Sequence, residues 1–459
     1  MPSVDDRLHR ALTSLYGGRP WLLCVDVLQS YRRMHDALAG LGVERCFVIA
    51  ARHGTGDPPD DDQVDWHCLG MSPTDDLMAA IHGAEGALRS LPDDVQARID
   101  AFDPDHRMAA LGIFFGNGRP VAGRPMVGAR PLAWQALEDK VVIDALWDAA
   151  GVTRAPYEVV PVTLSALQDA AARLDRGAGT VWAGDAREGF HGGAARTRWV
   201  RDAGDAQAAV ALLAAHCDTA RVMPFLDGVP CAIHGIVLPD GVVVLRPAEM
   251  LVLRKGTRLV YCRAATFWDP PAAARDGMRA VARRVGQHLQ ATYGYRGAFT
   301  VDGVLTEEGF RPTELNPRVG AALSMLVPDV PMSLVHYALI EGVELGVGAA
   351  ELEAAWLARA DAQRAGSFGF DLDLPVAQTE RTSLVLEGGR WRTAAEGEEP
   401  DAAVVRGPGV LGSFMNVRPV AERMPRGPSF APLVAAAAAW VDAELGTAVG
   451  PLQPAPDLR

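Results

Sequence analysis

The first third of the chain alternates solid apolar runs with amphipathic ones. Trp21–Val27 (WLLCVDV) and residues 45–50 (RCFVIA) are short and apolar at their centres, as strands covered on both faces are. Residues 30–40, 75–88 and 93–101 carry apolar positions at helical spacing, and residues 111–115 read as a third strand. This β-α-β alternation predicts an open, mostly parallel sheet over residues 1–130.

Residues 131–150 have apolar positions at helical spacing closed by Gly151, which predicts one helix with Lys140 in its middle. There follow a strand over 156–161, a helix over Leu164–Leu174, a strand over 180–182 and a turn-rich run over 183–198 (AGDAREGFHGGAARTR). Strands are predicted over 220–226, 232–238, 242–253 and 258–266, then a long helix over 271–292. The last hundred residues have glycine- and proline-rich connections, two or three strands and a final helix, Ala431–Leu445. A chain of 459 residues exceeds one core, and the pattern divides it at 1–130, 131–350 and 351–459.

A net charge of −13 without a basic cluster argues against nucleic acid as a partner. Six scattered cysteines without a C-x-x-C pair read as free thiols, not as a zinc site or a disulfide framework. The longest apolar run, 431–441, falls short of the roughly 20 residues a membrane span needs. The N-terminus has no charged region followed by an apolar core, so a cytoplasmic protein is expected.

The chemistry concentrates in residues 296–320, RGAFTVDGVLTEEGFRPTELNPRVG. Folded as a hairpin turning at 306–309, it sets Asp302 beside Glu314, while Glu314, Asn316 and Arg318 share one face by their spacing of two. Hard oxygen ligands of this kind suit Mg²⁺ completed by nucleotide phosphates, and an adjacent arginine steadies developing phosphoryl charge. Only two lysines, Lys140 and Lys255, stand among 44 basic residues, and a point-charge ammonium suits nucleotide phosphates. Neither lysine sits in a Walker-type phosphate loop.

Asp302, then Glu314-x-Asn316-x-Arg318, resembles the metal-binding hairpin of the ATP-grasp superfamily. Asp139-Lys140 with Ala150-Gly151-Val152 is similar to that family's first lysine segment, and the likeness runs over about 131–342. The implied fold is α/β (α+β): an N-terminal open parallel-sheet domain, an ATP-grasp fold and a small C-terminal α+β domain. The resemblance implies ATP and Mg²⁺ as cofactors, with Asp302, Glu314 and Asn316 as metal ligands, Lys140 on phosphate and Arg318 on the acyl phosphate. It implies an adenine edge near Val222, Met223 and Phe225, and a glycine-rich lid over 183–198.

The family's second lysine and its ribose-binding acid are missing here. Lys255, or Arg187 from the loop, is the expected replacement cation, and Lys255 is expected to share catalysis with Arg318. Arg246, Glu249, Arg254, Arg258 and Arg263 are candidate substrate contacts, the arginines for a second carboxylate and Glu249 for an amino group, set against the simpler reading of a solvated sheet face. His191 and His234 are candidates for a base toward the incoming amine, set against the commoner local hydrogen-bonding role, which is the expectation here. The implied activity is ligation of a small-molecule acid, an amino acid or peptide, to an amine, in a homodimer free of nucleic acid and membrane. In architecture the chain is similar to the pheganomycin-type peptide ligases of secondary metabolism. A phosphotransferase, or a nucleotide-binding module without catalysis, are the alternatives.

Overall fold

In the computed structural model, residues 2–60, 64–74, 76–112, 118–189, 191–374 and 376–456 are described. They form three sheets. The first comprises β1 (Trp21–Val27), β2 (Cys46–Arg52), β3 (Asp65–Cys68) and β4 (Ala109–Leu111), parallel and ordered β3-β2-β1-β4. Alternate residues explain its apolar runs. Leu22, Cys24, Phe47 and Ile49 pack under the helices Leu77–Arg89 and Asp93–Phe102. Trp21, Leu23, Val48 and Ala50 face the helix Val4–Tyr16 and residues 323–360. That first helix, with its Ser3–Asp6 capping box, and β3 were not foreseen. The third strand lies at 109–111, not 111–115, and residues 113–115 are outside those described.

The second sheet comprises β5 (Glu158–Pro161), β6 (Thr180–Gly184), β7 (Thr197–Val200) and β8 (Thr219–Pro224), antiparallel and ordered β5-β8-β6-β7. The helices Leu164–Leu174 and Ala203–His216 cover one face through Leu167, Leu213 and Trp182.

The third sheet has 11 strands. These are β9 (Val229–Leu238), β10 (Gly241–Val244), β11 (Ala248–Lys255), β12 (Arg258–Ala265), β13 (Gly297–Thr306), β14 (Gly309–Asn316), β15 (Gly366–Leu372), β16 (Glu380–Glu387), β17 (Arg390–Thr393), β18 (Ala402–Gly409) and β19 (Gly412–Pro419). The order is β14-β13-β9-β11-β12-β15-β19-β18-β16-β17, with β10 beside β9. The C-terminal strands therefore continue the central sheet through the β12–β15 pairing. The long helix Ala272–Tyr293 covers its β9–β13 end and Ala431–Leu445 its β11–β15 end. No helix among the described residues is long and apolar enough to cross a membrane.

Two predicted elements break. The strand expected over 242–253 divides into β10 and β11, because Pro247 lacks an N–H for the ladder and Arg246 is drawn to Asp269. The helix expected over 131–150 exists only as Leu132–Gln135, a 3₁₀ turn Ala136–Glu138 and Ile143–Ala149. Asp139 is extended, and its carboxylate accepts the Val141 N–H at 3.1 Å, so its side chain competes with the helix for a backbone donor. Lys140 thus sits in a tight turn instead of on a helix face.

Candidate active site

The hairpin forms as the sequence predicts. β13 and β14 pair Asp302 with Glu314, Thr300 with Asn316 and Thr306 with Gly309, with a bulge after Asp302. Directly opposite one another, the two carboxylates share one face of the hairpin. Asn316 Nδ2 donates to Asp302 Oδ2 at 2.8 Å, and Arg318 Nη2 donates to Asn316 Oδ1 at 2.7 Å. Lys140 Nζ lies 2.9 Å from Glu314 Oε1. Burial, reinforced by the Glu314 charge, pushes Asp302 up to about 7.

Residues not singled out from the sequence complete the group. Glu138 is buried and accepts from Arg130 and, at 3.3 Å, from Arg318 Nε. Two residues before Lys140, it was hidden by the assumption of a continuous helix. Arg221 of β8 is buried, pairs with Asp144 at 3.2 Å and donates to the Thr313 carbonyl at 2.9 Å, tying the second sheet to the hairpin. His191 folds back over the site from the glycine-rich run. Its Nε2 donates toward the Asp185 and Gly184 carbonyls (3.1 and 3.2 Å), and burial, then the Lys140 charge, hold it below its usual value. Asp185 anchors the loop: although burial raises it, hydrogen bonds from Thr219 and the Arg187 and Asp218 amides bring it below the usual range. His234, on β9, bonds locally to Thr300 Oγ1 at 2.8 Å. Phe190 lies outside the described residues.

Several expected contacts lie elsewhere. Lys255 shares a strand face with Glu249, Leu251 and Leu253, the face under Ala431–Leu445, and its ammonium donates to the Ala448 and Val449 carbonyls. It is not the missing cation of the hairpin site. Arg187 is held at the outer end of Ala203–His216 by Asp218 and the Ala215 carbonyl, both at 2.9 Å. Glu249 is buried and accepts from Ser429 Oγ and the Phe430 and Ala431 amides, so its carboxylate is engaged at the start of the last helix. Arg246 is buried between Asp269 and Asp361. Arg254 donates to the Pro454 carbonyl at 2.9 Å and lies over the Trp199 and Phe225 rings. Arg258 is exposed at the β11–β12 turn, near Arg198. Val222 is paired with Glu158 on one edge and Trp182 on the other, which leaves no backbone edge for a base. Met223 lies beyond the end of β5, and Phe225 stacks on Trp199 with centroids 4.3 Å apart.

Among the described residues no three His, Cys, Asp or Glu side chains gather as a metal cluster. The candidate donors are two carboxylates and one amide, a hard set that leaves coordination positions for phosphate and water. Asp302, pushed up to about 7 by burial and by Glu314 despite Arg318 and Lys140 nearby, is a carboxylate that a cation held between it and Glu314 would favour in its charged form.

No protein-family model matches the chain, and neither does any curated protein. Among solved structures it is similar to a biotin carboxylase from Campylobacter jejuni, with 13% identity, 87% of each chain covered and a TM-score of 0.54. It is also similar to the biotin carboxylase domain of the Hydrogenobacter thermophilus 2-oxoglutarate carboxylase, with 12% identity, 87% and 86% covered and a TM-score of 0.52. An L-amino acid ligase from Bacillus licheniformis covers 88% of this chain and 94% of its own, at 14% identity and a TM-score of 0.49. Likeness at such low identity speaks to architecture, and by that architecture the chain has the ATP-grasp fold.

Proposed function

We propose that the protein is an ATP-dependent ligase joining a carboxylic acid to an amine through an acyl phosphate, with release of ADP and phosphate. The observation that carries this reading is the linked set Lys140–Glu314 and Asp302–Asn316–Arg318–Glu138 at one end of the β13–β14 hairpin. Asp302, Glu314 and Asn316 would hold Mg²⁺, which supplies neutralising charge to nucleotide phosphate oxygens when bound. MgADP accompanies the Hydrogenobacter protein, which supports this choice of ion.

The chain's own groups divide the remaining work. The Lys140 ammonium serves nucleotide phosphate. Arg318, oriented by Glu138 and Asn316, meets the charge that grows as a substrate carboxylate oxygen bonds to the γ-phosphorus and ADP leaves. The amine nitrogen then bonds to the acyl carbon, phosphate departs and the nitrogen sheds a proton. An acyl phosphate is lost to hydrolysis in water, so the loop carrying His191 is assigned the task of excluding it. The adenine edge is proposed at Met223–Pro224, past the end of β5, since the Phe225 N–H is already taken by the Gly179 carbonyl.

The test is ADP and phosphate release from Mg-ATP with pooled amino acids and small carboxylates, with Glu314→Gln as control. ADP and a condensed mass that depend on both an acid and an amine are expected, and Glu314→Gln should be silent. AMP with pyrophosphate, or a stable phosphorylated product without ligation, would refute the acyl-phosphate ligase.

A further inference from the structure

The cleft face of the large sheet carries a second group of charged side chains that the proposed reaction does not use. β11 pairs Met250 with Ala264 but Val252 with Tyr261, so β12 holds one extra residue between them. In that bulge Arg263 has φ +96°, a conformation L side chains rarely adopt. Bulges and positive-φ residues gather at functional sites because they re-aim a side chain that regular alternation would point elsewhere.

What the bulge aims at is specific. The Arg263 guanidinium lies over the Phe414 ring, 5.0 Å from its centroid. Phe414 is directly opposite Asp371 across the β15–β19 pair, so the two share a face, and Gly369 on that face leaves room for the ring. Arg263, Asp371 and Tyr261 are exposed, and among the described residues their side chains have no hydrogen bond or ion pair. Yet burial raises Asp371, lowers Arg263 and pushes Tyr261 up to about 12. By register the three side chains form a wall on the sheet face that carries Asp302. Tyr261 is near enough to Asp302 and Arg318 to feel both charges, which joins this wall to the proposed reaction centre. Between them the same sheet face carries small side chains, Ala232 opposite Asp302, then Ala248 and Ala264, the last two packed under Ala322.

Resting on the ligase reading above, we propose that Arg263 and Asp371 form the subsite for the amine-donating substrate, and that this substrate is an α-amino acid. Arg263 takes its carboxylate and Asp371 its ammonium. Opposite charges held on one wall, too far apart to pair with each other, match the two ends of a zwitterion. The carboxylate to be phosphorylated belongs at Arg318, so the one bound by Arg263 is spared.

Calorimetric titration with each of the twenty proteinogenic amino acids, with and without MgADP, tests this directly. At least one should bind, and its methyl ester and N-acetyl derivative should each bind at least tenfold more weakly. Arg263→Gly removes the guanidinium where glycine is the residue best suited to the backbone, so folding is not at risk. It should erase the preference of acid over ester, and Asp371→Asn the preference of free amine over N-acetyl. Both variants should keep MgADP affinity within about twofold. MgADP binding by wild type without any amino acid binding overturns the subsite and leaves the ligase reading standing. Amino-acid binding without MgADP binding overturns the ligase reading. Equal loss of acid and ester in Arg263→Gly overturns the assignment of Arg263.

Discussion

The Lys140 ammonium is 2.9 Å from Glu314 Oε1, and that pair joins the turn after Glu138 to the second strand of the β13–β14 hairpin. Lys140 is buried and Glu314 half-buried, so neither charge is fully solvated. Lys140 offsets part of the Glu314 charge, and the Asp302 carboxylate beside it is raised by burial and by what remains of that charge.

Lys140→Met should therefore cost more than a surface ion pair. It leaves Glu314 and Asp302 facing each other without their cation and removes a donor from the phosphates. Turnover should fall by roughly 100-fold or more, the scale seen when a transition-state donor is deleted. Circular dichroism should match wild type while steady-state kinetics report the loss. A Lys140→Met variant with unchanged kcat and KM for ATP would remove Lys140 from the site.

Asp302 gives a pH prediction with a definite sign. Its folded value of about 7 stands well above the unfolded value of about 3.9, so the metal-free folded state retains a proton that the unfolded chain gives up. The linked stability is present below the unfolded value and lost as pH rises through about 7. Mg²⁺ requires the ionised pair, so it should raise Tm more at pH 8 than at pH 5.5. Scanning fluorimetry in Mg²⁺ without nucleotide checks this; equal shifts at both pH values would contradict it.

Glu249 separates a structural role from a substrate role. It is buried and caps the Ala431–Leu445 helix through Ser429, Phe430 and Ala431. Glu249→Ala strands those buried donors, at a cost of about 3 kcal/mol. Urea unfolding should report that loss while KM for every substrate stays as in wild type. A changed KM with unchanged stability would restore Glu249 to the substrate cleft.

The hairpin was legible because its information is local. A period of two fixes the face of Glu314, Asn316 and Arg318, and a tight turn fixes the register of Asp302 against Glu314. Lys255 was misjudged on rarity, which carries no direction; the alternation Glu249, Leu251, Leu253, Lys255 carries it, and points to the last helix. Glu138 was missed because apolar spacing cannot register a break made by one side chain, that of Asp139. The C-terminal strands were undercounted because β16, β17 and β18 are part-exposed and break the apolar pattern. Arg263 was legible as one of several arginines suited to a carboxylate, but its pairing with Asp371 was not, since the two come onto one wall only when β15 and β19 dock beside β12.

Two buried histidines predict how the protein meets acid. His234 bonds to Thr300 Oγ1 at 2.8 Å, and His336 Nδ1 accepts the Ala298 N–H at 3.0 Å, an acceptor role open only to the neutral ring. Burial lowers both to about 3, against about 6.5 in the unfolded chain. Their stability is present above the unfolded value and lost as pH falls through 6.5 toward 3. At pH 5 each costs about 2 kcal/mol, at about 1.4 kcal/mol per pH unit. Asp302 pulls the other way without Mg²⁺, so the informative quantity is a difference between variants. In His336→Gln the amide can neither gain nor lose a proton, and the drop in urea-unfolding free energy from pH 7.5 to pH 5 should shrink by about 2 kcal/mol relative to wild type. An unchanged drop would mean that His336 is protonated in the folded protein and that its bond to Ala298 is not the one described.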